Sequence, residues 1–354
     1  MNWSLSTLVR SVFFIAAIPL VASADIPRTP SGDPDLTGTY DVATLTPLER
    51  PEEYANKAYL SATEADAIRT KRATDSAAAN AVSNPDRTAP PSGGDGSPGA
   101  AGNVGGYNEF WLDFGDEAAT IDGRVPTSII THPANGRQPE RTPAGEARMA
   151  SFRLLFKENT GSAWWVGEAG PGPYDDMEMR PNAERCLLSF GSTSGPPMLP
   201  SGYNNLKRIV QTDTHVMILA EMIHDARIIR LASEHAPDHV RAWMGDSVGH
   251  WEGDTLVVDT SNFGTKPALL GASPELHVIE RFTMTDSGDL KYEFTVDDPQ
   301  AWEGSWGGEY PWPATSNKLY EYACHEGNYA LGNIMRGARM LERDIERDGS
   351  ASGE

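Results

Sequence analysis

The sequence predicts a mainly β protein, either an antiparallel barrel or a strongly curved sheet, with peripheral helices. Residues 216–297 form a series of strand patterns separated by short turn signals, for example Glu252-Gly253-Asp254. In three of these strands one face is nearly all apolar, which is typical of a sheet that buries one side. A small closed β architecture of this kind can enclose a ligand cavity.

The pattern predicts five strands in this stretch: Val216–Arg230, Val248–Trp251, Thr255–Thr260, Leu276–Met284 and Leu290–Val296. Side chains alternate across a strand, so the apolar face of the first strand includes His224 and that of the fourth includes Glu280. We therefore expect a His and a Glu among apolar neighbours. A register slip of one residue would reverse these faces.

The amino terminus has the features of a secretory signal peptide. Arg10 precedes an apolar run, Val12–Val21, which is followed by the cleavage pattern Ala22-Ser23-Ala24. The run is too short for a transmembrane helix. We expect a periplasmic or secreted protein whose mature chain starts at Asp25, without membrane insertion.

The rest of the chain is divided by composition. Residues 25–106 are predicted to be an N-terminal segment with one helix and a flexible loop rich in Gly, Pro and Ser; residues 107–346 a single β-rich domain; and residues 347–354 a disordered tail. Helices are predicted at 61–78, 143–157 and 329–346, and further strands at 107–114, 125–132 and 320–324. Ser61 and Glu64 fit a capping box at the start of the first helix.

Composition and motifs argue against several function classes. The formal net charge of −21 disfavours nucleic acids and anionic membranes as partners. The sequence has neither a Walker loop nor a Rossmann fingerprint, so no cofactor is predicted, and Thr193 occupies the Ser position of a G-x-S-x-G elbow. His235 and His239 have helical spacing, but Pro237 lies between them, and we predict no metal.

The two cysteines, Cys186 and Cys324, are predicted to form a disulfide, because an exported chain meets an oxidising compartment. Closing so long a loop could contribute on the order of 4–5 kcal/mol in the chain-entropy model. The alternative is a reactive thiol.

His224 and Glu280 are the predicted proton-transfer pair. A His titrates near neutrality, and a carboxylate among apolar side chains costs several kcal/mol unless it is paired or protonated, a situation common at functional sites. The alternatives are a core His bonded to the backbone, and a Glu paired with Arg281 or another cation.

Glu221, Asp225 and Arg227 form a row on the opposite face of the first strand. Such a row is usually a solvated face, but a bulge would exchange it with the face of His224. We assign Asp225 and Arg227 to substrate binding, with Arg227 orienting or polarising the substrate.

Further candidates lie near the turns. His250 is a candidate catalytic residue, and Trp251 beside it could line the mouth of a pocket; the alternative is an ordinary surface His. His325, as a catalytic residue, and Glu326, as a substrate-binding residue, directly follow Cys324 and would be held near the site by the disulfide; the alternative is a polar turn.

Several segments together resemble a large family of exported bacterial proteins with no assigned reaction. They are Glu184-Arg185-Cys186-Leu187, Tyr203-Asn204-Asn205, the run from Glu221 to Arg227, the run from Gly249 to Leu256 and the run from Tyr322 to Asn328. The likeness covers roughly residues 107–339 and implies export and a single domain, but no catalytic residues. The strand order is also similar to that of lipocalin-type barrels, an analogy of architecture alone.

Three functions are compatible with these patterns. The first is an exported enzyme that performs cofactor-independent acid–base chemistry, such as elimination, hydration, isomerisation or ring opening, on a small, partly apolar molecule in a β-enclosed pocket. The second is a periplasmic carrier of an apolar or amphipathic ligand, which would need only apolar walls and one anchoring group. The third is a structural envelope protein.

Overall fold

The computed structural model describes residues 26–82, 86, 88, 111–157, 161–324 and 329–351, with side chains to 347. The predicted signal peptide, most of the predicted Gly/Pro/Ser loop and the end of the predicted tail lie outside these residues. Within them the fold is mainly β, as predicted: a curled, half-barrel sheet of ten strands with helices at its periphery.

Twelve strands are present in the described residues: β1 (Gly38–Asp41), β2 (Tyr59–Leu60), β3 (Val125–Pro126), β4 (Ile130–His132), β5 (Leu206–Gln211), β6 (His215–Ala220), β7 (Ala226–Leu231), β8 (Asp246–Glu252), β9 (Thr255–Ser261), β10 (His277–Met284), β11 (Leu290–Asp297) and β12 (Trp306–Trp312). The large sheet has the order β1-β5-β6-β7-β8-β9-β10-β11-β12-β4, and β2 pairs with β3 separately. Neighbours β5 to β12 are consecutive in sequence, so most of the sheet is a meander.

One pair of neighbours in this meander, β7 and β8, is parallel, whereas all the other strand pairs are antiparallel. Parallel neighbours cannot be joined by a tight turn, because the chain must return to the end of the sheet from which the first strand started. Residues 232–245 make this return. We call this segment the crossover, and it lies beside the N-terminal end of β8.

The prediction of one continuous strand over 216–230 is wrong. The chain turns back after β6, and residues 222–224 form a short 3-10 turn in which Ile223 and His224 have φ of 68° and 49°. Positive φ is unfavourable for a β-branched residue, and here it reverses the chain. Strand β7 then pairs antiparallel with β6, with Ile218 opposite Arg227.

The buried side of the sheet is filled by aromatic rings. Five of the largest buried rings come from β11, β12 and the turn before β12: Tyr292, Trp302, Trp306, Tyr310 and Trp312. Tyr292 lies 4.7 Å from Trp312 and 5.6 Å from Tyr310, measured between ring centroids. Met198, from the segment before β5, closes this core, because its N–H donates to Tyr292 Oη and its carbonyl accepts from Tyr310 Oη.

The described residues form three α-helices around the sheet: α1 (Ala62–Ala79), α2 (Pro143–Leu154) and α3 (Ala330–Ala351). The first two lie close to their predicted bounds, whereas α3 continues past 346 into the predicted tail. The predicted capping box is present, because Ser61 Oγ accepts from the Glu64 N–H and the Glu64 carboxylate accepts from the Ser61 N–H. Of the other predicted strands, 125–132 is two short strands, whereas 111–114 and 320–324 are not strands.

The predicted disulfide between Cys186 and Cys324 is confirmed. It joins the segment before β5 to the segment after β12, which lie far apart in sequence. None of the described helices combines the length and the apolar character needed to cross a bilayer.

Candidate functional site

Glu280 is completely buried on β10 and is held by an ion pair with Arg227. Arg227 Nη1 donates to Glu280 Oε1 at 3.0 Å, and Nη2 donates to Oε2. Tyr292 Oη donates to Glu280 Oε1 at 2.8 Å. The cation is therefore Arg227, one of the alternatives for Glu280, and it comes from β7 rather than from the neighbouring Arg281.

Two further N–H donors of Arg227 are also occupied. Nε donates to Ser247 Oγ at 2.9 Å, and Nη2 donates to Thr260 Oγ1 at 2.8 Å. A buried pair with this many partners is expensive to break, because either charge alone would remain desolvated. Protonating Glu280 would break it, so the geometry favours a structural role for Glu280 and Arg227 rather than proton transfer and substrate binding.

The inward placement of His224 is wrong. His224 is exposed in the turn between β6 and β7, and its Nδ1 lies 3.2 Å from the carbonyl oxygen of Tyr322. The turn shifts the alternation of buried and exposed side chains by one residue. Glu221 and Arg227 are therefore buried, whereas His224 is exposed. The two faces have exchanged, and His224 and Glu280 do not form a pair.

Asp225, in the same turn, is half-buried, and burial raises the pKa of its carboxyl group. A carboxyl with a raised pKa is a weaker hydrogen-bond acceptor at low pH, because its protonated fraction is larger. The structure does not bring Asp225 together with the Arg227 guanidinium, which points into the core toward Glu280.

The other predicted candidates lie apart from the core. His250 is exposed, and its Nε2 lies 3.2 Å from Glu252 Oε1, as in an ordinary surface pair. Trp251 is half-buried and packs against the core rather than lining one of the cavities described below. His325 and Glu326 lie outside the described residues.

Lys207 is a buried cation that the sequence analysis missed. It lies on the inner face of β5 with no solvent exposure, and its Nζ donates to Thr193 Oγ1 at 3.2 Å. Burial lowers the pKa of Lys207 to about 7, although the carboxylates of Glu221 and Asp41 oppose the shift. A neutral amine could act as a base, but this one is closed off from any substrate by complete burial.

Unlike Lys207, a cluster of four titratable side chains is accessible to solvent. We call it the histidine cluster: His235 from the crossover, Asp246 at the start of β8, Asp259 on β9 and His277 at the start of β10. His277 Nε2 lies 2.8 Å and His235 Nε2 3.1 Å from the same atom, Asp259 Oδ1. Two imidazole rings therefore share one carboxylate oxygen, and all four side chains are partly exposed.

The other nitrogen of His235 is also fixed. His235 Nδ1 lies 3.0 Å from Asp246 Oδ2, and Asp246 additionally accepts from Arg230 Nη1 at 2.6 Å and from the Ala236 N–H at 2.9 Å. The hydrogen bond with Arg230 holds the pKa of Asp246 well below its usual range. An ionised Asp246 places the proton of His235 on Nδ1, the geometry used to orient catalytic histidines.

The two other cluster members have shifted pKa values. A hydrogen bond with Asp259 raises the pKa of His277. Burial acts to raise the pKa of Asp259, but hydrogen bonds with His277 and His235 outweigh it, so its pKa is lowered. The cluster therefore combines an ionised carboxylate with an imidazole that keeps its proton more readily than a free one.

The sequence analysis discussed His235 only as a possible metal ligand and did not predict this cluster. Its members are separated by up to 42 positions, from 235 to 277, and the parallel step between β7 and β8 brings them together. Across the described residues, no group of three or more His, Cys, Asp or Glu side chains, this cluster included, is arranged to hold a metal ion.

Comparison of the chain with protein-family models, curated proteins and solved structures finds no match. The function must therefore be inferred from the geometry of the site.

Among the described residues, two of the surface cavities are candidate binding sites. A polar one of about 350 Å³ lies on the outer face of β10–β12, above Gly307 and Gly308, with Arg281 and Glu309 at its edge. A mainly apolar groove of about 650 Å³ lies between α3 and the Trp164–Tyr174 segment. Neither lies on the buried side of the sheet, where the sequence placed a β-enclosed pocket.

Proposed function

We propose that this protein is an exported enzyme that performs acid–base chemistry on a small, partly apolar molecule, with the histidine cluster as its proton-transfer site. The observation that carries the proposal is the sharing of Asp259 Oδ1 by His235 Nε2 and His277 Nε2. No organic cofactor is part of the proposal.

Because two imidazoles share one carboxylate oxygen, the hydrogen bonds of the cluster depend on how many protons the imidazoles carry. Each Nε2 atom can donate to Asp259 Oδ1 only when it carries a hydrogen, and Nδ1 of His235 already carries one toward Asp246. His235 therefore satisfies both carboxylates only as an imidazolium. Loss of its Nε2 proton leaves a lone pair facing Asp259 Oδ1. A substrate that displaces Asp259 from this nitrogen can then give its proton to Nε2. The neutral imidazole of His235 is the proposed base, and its imidazolium is the proposed acid.

Supporting groups hold this ring in place. Arg230 keeps Asp246 ionised, and Asp246 fixes Nδ1 of His235, so the imidazole cannot rotate away without losing its hydrogen bond. Asp259 balances the positive charge that develops on His235, and the hydrogen bond with His277 holds Asp259 in place. Asp246 and Arg230 are positioning residues in this scheme, whereas His235, Asp259 and His277 contact the substrate.

The exposure of the cluster and the apolar side chains of the crossover are compatible with a small, partly apolar substrate. Between a quarter and a half of each of the His235, Asp259 and His277 side chains is exposed, with values of 29%, 35% and 42%. The crossover also exposes Val240 and Trp243, an apolar surface beside charged groups. The disulfide is consistent with export, because such bonds persist in oxidising compartments.

The test is a proton-NMR screen of small, partly apolar compounds for elimination, hydration, isomerisation and ring opening. A compound turned over by the parent protein is tested with Asp259→Asn, His235→Gln and His277→Gln. General acid–base groups contribute about 100-fold to 10,000-fold, so we expect each variant to lose roughly 100-fold or more of kcat/KM.

His239→Gln is the matched control, because His239 lies exposed on the same crossover but outside the cluster. It should retain the parent rate. Equal activity of Asp259→Asn and the parent, or binding of compounds without any turnover, would overturn the enzyme proposal; the second result would favour the carrier instead.

A further inference from the structure

The groove between α3 and the Trp164–Tyr174 segment has aromatic walls. Trp165 is 7% exposed, its ring centroid lies 4.6 Å from that of Tyr174, and it is edge-on to Trp164 at 5.8 Å. Its indole Nε1 donates to Glu342 Oε1 at 2.8 Å, which fixes the ring against α3. A wall of this kind is rigid, so the groove is largely preformed.

The facing wall is a stripe of apolar and small side chains on α3. Ile334, Ala338 and Leu341 follow one another at helical spacing and line the groove together with Gly337. A Cβ atom added at Gly337 would meet nothing within 4 Å, so open space lies over this position. The volume of about 650 Å³ is within the range of roughly 300–1,000 Å³ that is usual for small-molecule sites.

One cation that lines the groove, Lys157, has no acidic partner among the described residues. Lys157 Nζ lies 4.0 Å from the centroid of the Trp164 ring, and it forms no ion pair with a described residue. The nearby carboxylates are engaged elsewhere: Glu342 with Arg339 at 2.5 Å, and Asp344 with Arg347 at 3.1 Å. An ammonium group over an aromatic wall is therefore available to an anion at the end of an apolar groove.

We propose that this groove binds a small amphipathic carboxylic acid, with its apolar chain between Trp165 and the α3 stripe and its carboxylate on Lys157. The apolar chain supplies most of the affinity by leaving water, and the ion pair fixes the orientation of the ligand. The site shares no residue with the histidine cluster, so it is independent of the proposed enzyme function.

The probes are decanoate and, as its uncharged counterpart, 1-decanol, titrated calorimetrically into the full-length mature protein. Gly337→Met places a side chain in the groove, and filling a packed site in this way should weaken decanoate binding about tenfold or more. Gly332→Met is the matched control, because Gly332 also lies on α3 with open space around it but outside the groove. It should bind decanoate as the parent does.

Lys157→Met tests the ion pair. Because Lys157 is exposed, solvent screens its pair with a carboxylate, so decanoate binding should weaken about twofold to fivefold while decanol binding stays unchanged. Circular dichroism and thermal unfolding verify that each variant is folded. Absence of decanoate binding by the parent, or equal binding by Gly337→Met and Gly332→Met, would overturn the site. Equal effects of Lys157→Met on both probes would overturn the carboxylate as its ligand.

Discussion

Replacement of Glu280 by Gln should destabilise the protein strongly, because it leaves Arg227 charged in the core without a counterion. The Glu280 carboxylate accepts three hydrogen bonds, two from Arg227 and one from Tyr292. Gln has one acceptor oxygen, and because Arg227 donates to both carboxylate oxygens, the amide NH₂ would face an Arg227 donor in either orientation. Removing one partner of a buried ion pair costs about 3–5 kcal/mol.

The assay is urea unfolding at pH 7 monitored by circular dichroism, with thermal unfolding alongside. At roughly 2–4 °C per kcal/mol for a protein of this size class, we expect Tm to fall by about 6–20 °C. Glu293→Gln is the control, since Glu293 lies on the neighbouring strand β11 and pairs only at the surface with Lys291. Glu293→Gln should lower the free energy of unfolding by less than about 1 kcal/mol.

The double variant Arg227→Met/Glu280→Gln completes the test. It removes the orphaned charge, so its loss should be smaller than the sum of the two single losses by at least about 1 kcal/mol. A Glu280→Gln protein as stable as the parent, or strictly additive losses, would refute the structural role of the pair. The first result would reopen a chemical role for Glu280.

Three further predictions concern titration and the disulfide. The pKa of Lys207 is lowered to about 7 in the folded state, below its usual 10.5. Between pH 7 and pH 10.5 unfolding therefore takes up a proton, so the contribution of Lys207 to the free energy of unfolding should rise with pH. Lys207→Met should therefore gain most over the parent near pH 6 and progressively less up to about pH 10 in urea unfolding; a pH-independent difference would contradict the shift. The pKa of His277 is raised by Asp259, so its stabilisation is present below the usual 6.5 and is lost as pH rises through the folded-state value. His277→Gln should thus lose more stability at pH 5.5 than at pH 9, with His239→Gln, outside the cluster, as the control; an equal loss by His277→Gln at both pH values would be evidence against the ion pair. Replacing Cys186 and Cys324 together by Ala opens a loop with a sequence separation of 138 and should cost on the order of 4–5 kcal/mol, measured by unfolding under identical conditions; a loss below about 1 kcal/mol would show that the bridge adds little.

The alternation of apolar residues predicted much of the sheet, because a strand with one buried side repeats every two residues. Strands β9, β10 and β11 lie within one or two residues of their predicted bounds, and Glu280 faces the core as the pattern requires. The same rule failed across the first strand. Nothing in an alternating pattern reveals that positive φ at Ile223 and His224 reverses the chain and changes the parity of all that follows.

The sequence by itself determined the fold class, the positions of the helices and the pairing of the two cysteines, because local periodicity, capping and redox chemistry act over short distances or through few residues. Tertiary structure alone decided which polar groups meet. The partner of Glu280 lies 53 positions away, and the histidine cluster depends on the parallel step between β7 and β8. Such contacts follow from strand order and register, which combine the whole chain, so no short pattern in the sequence encodes them.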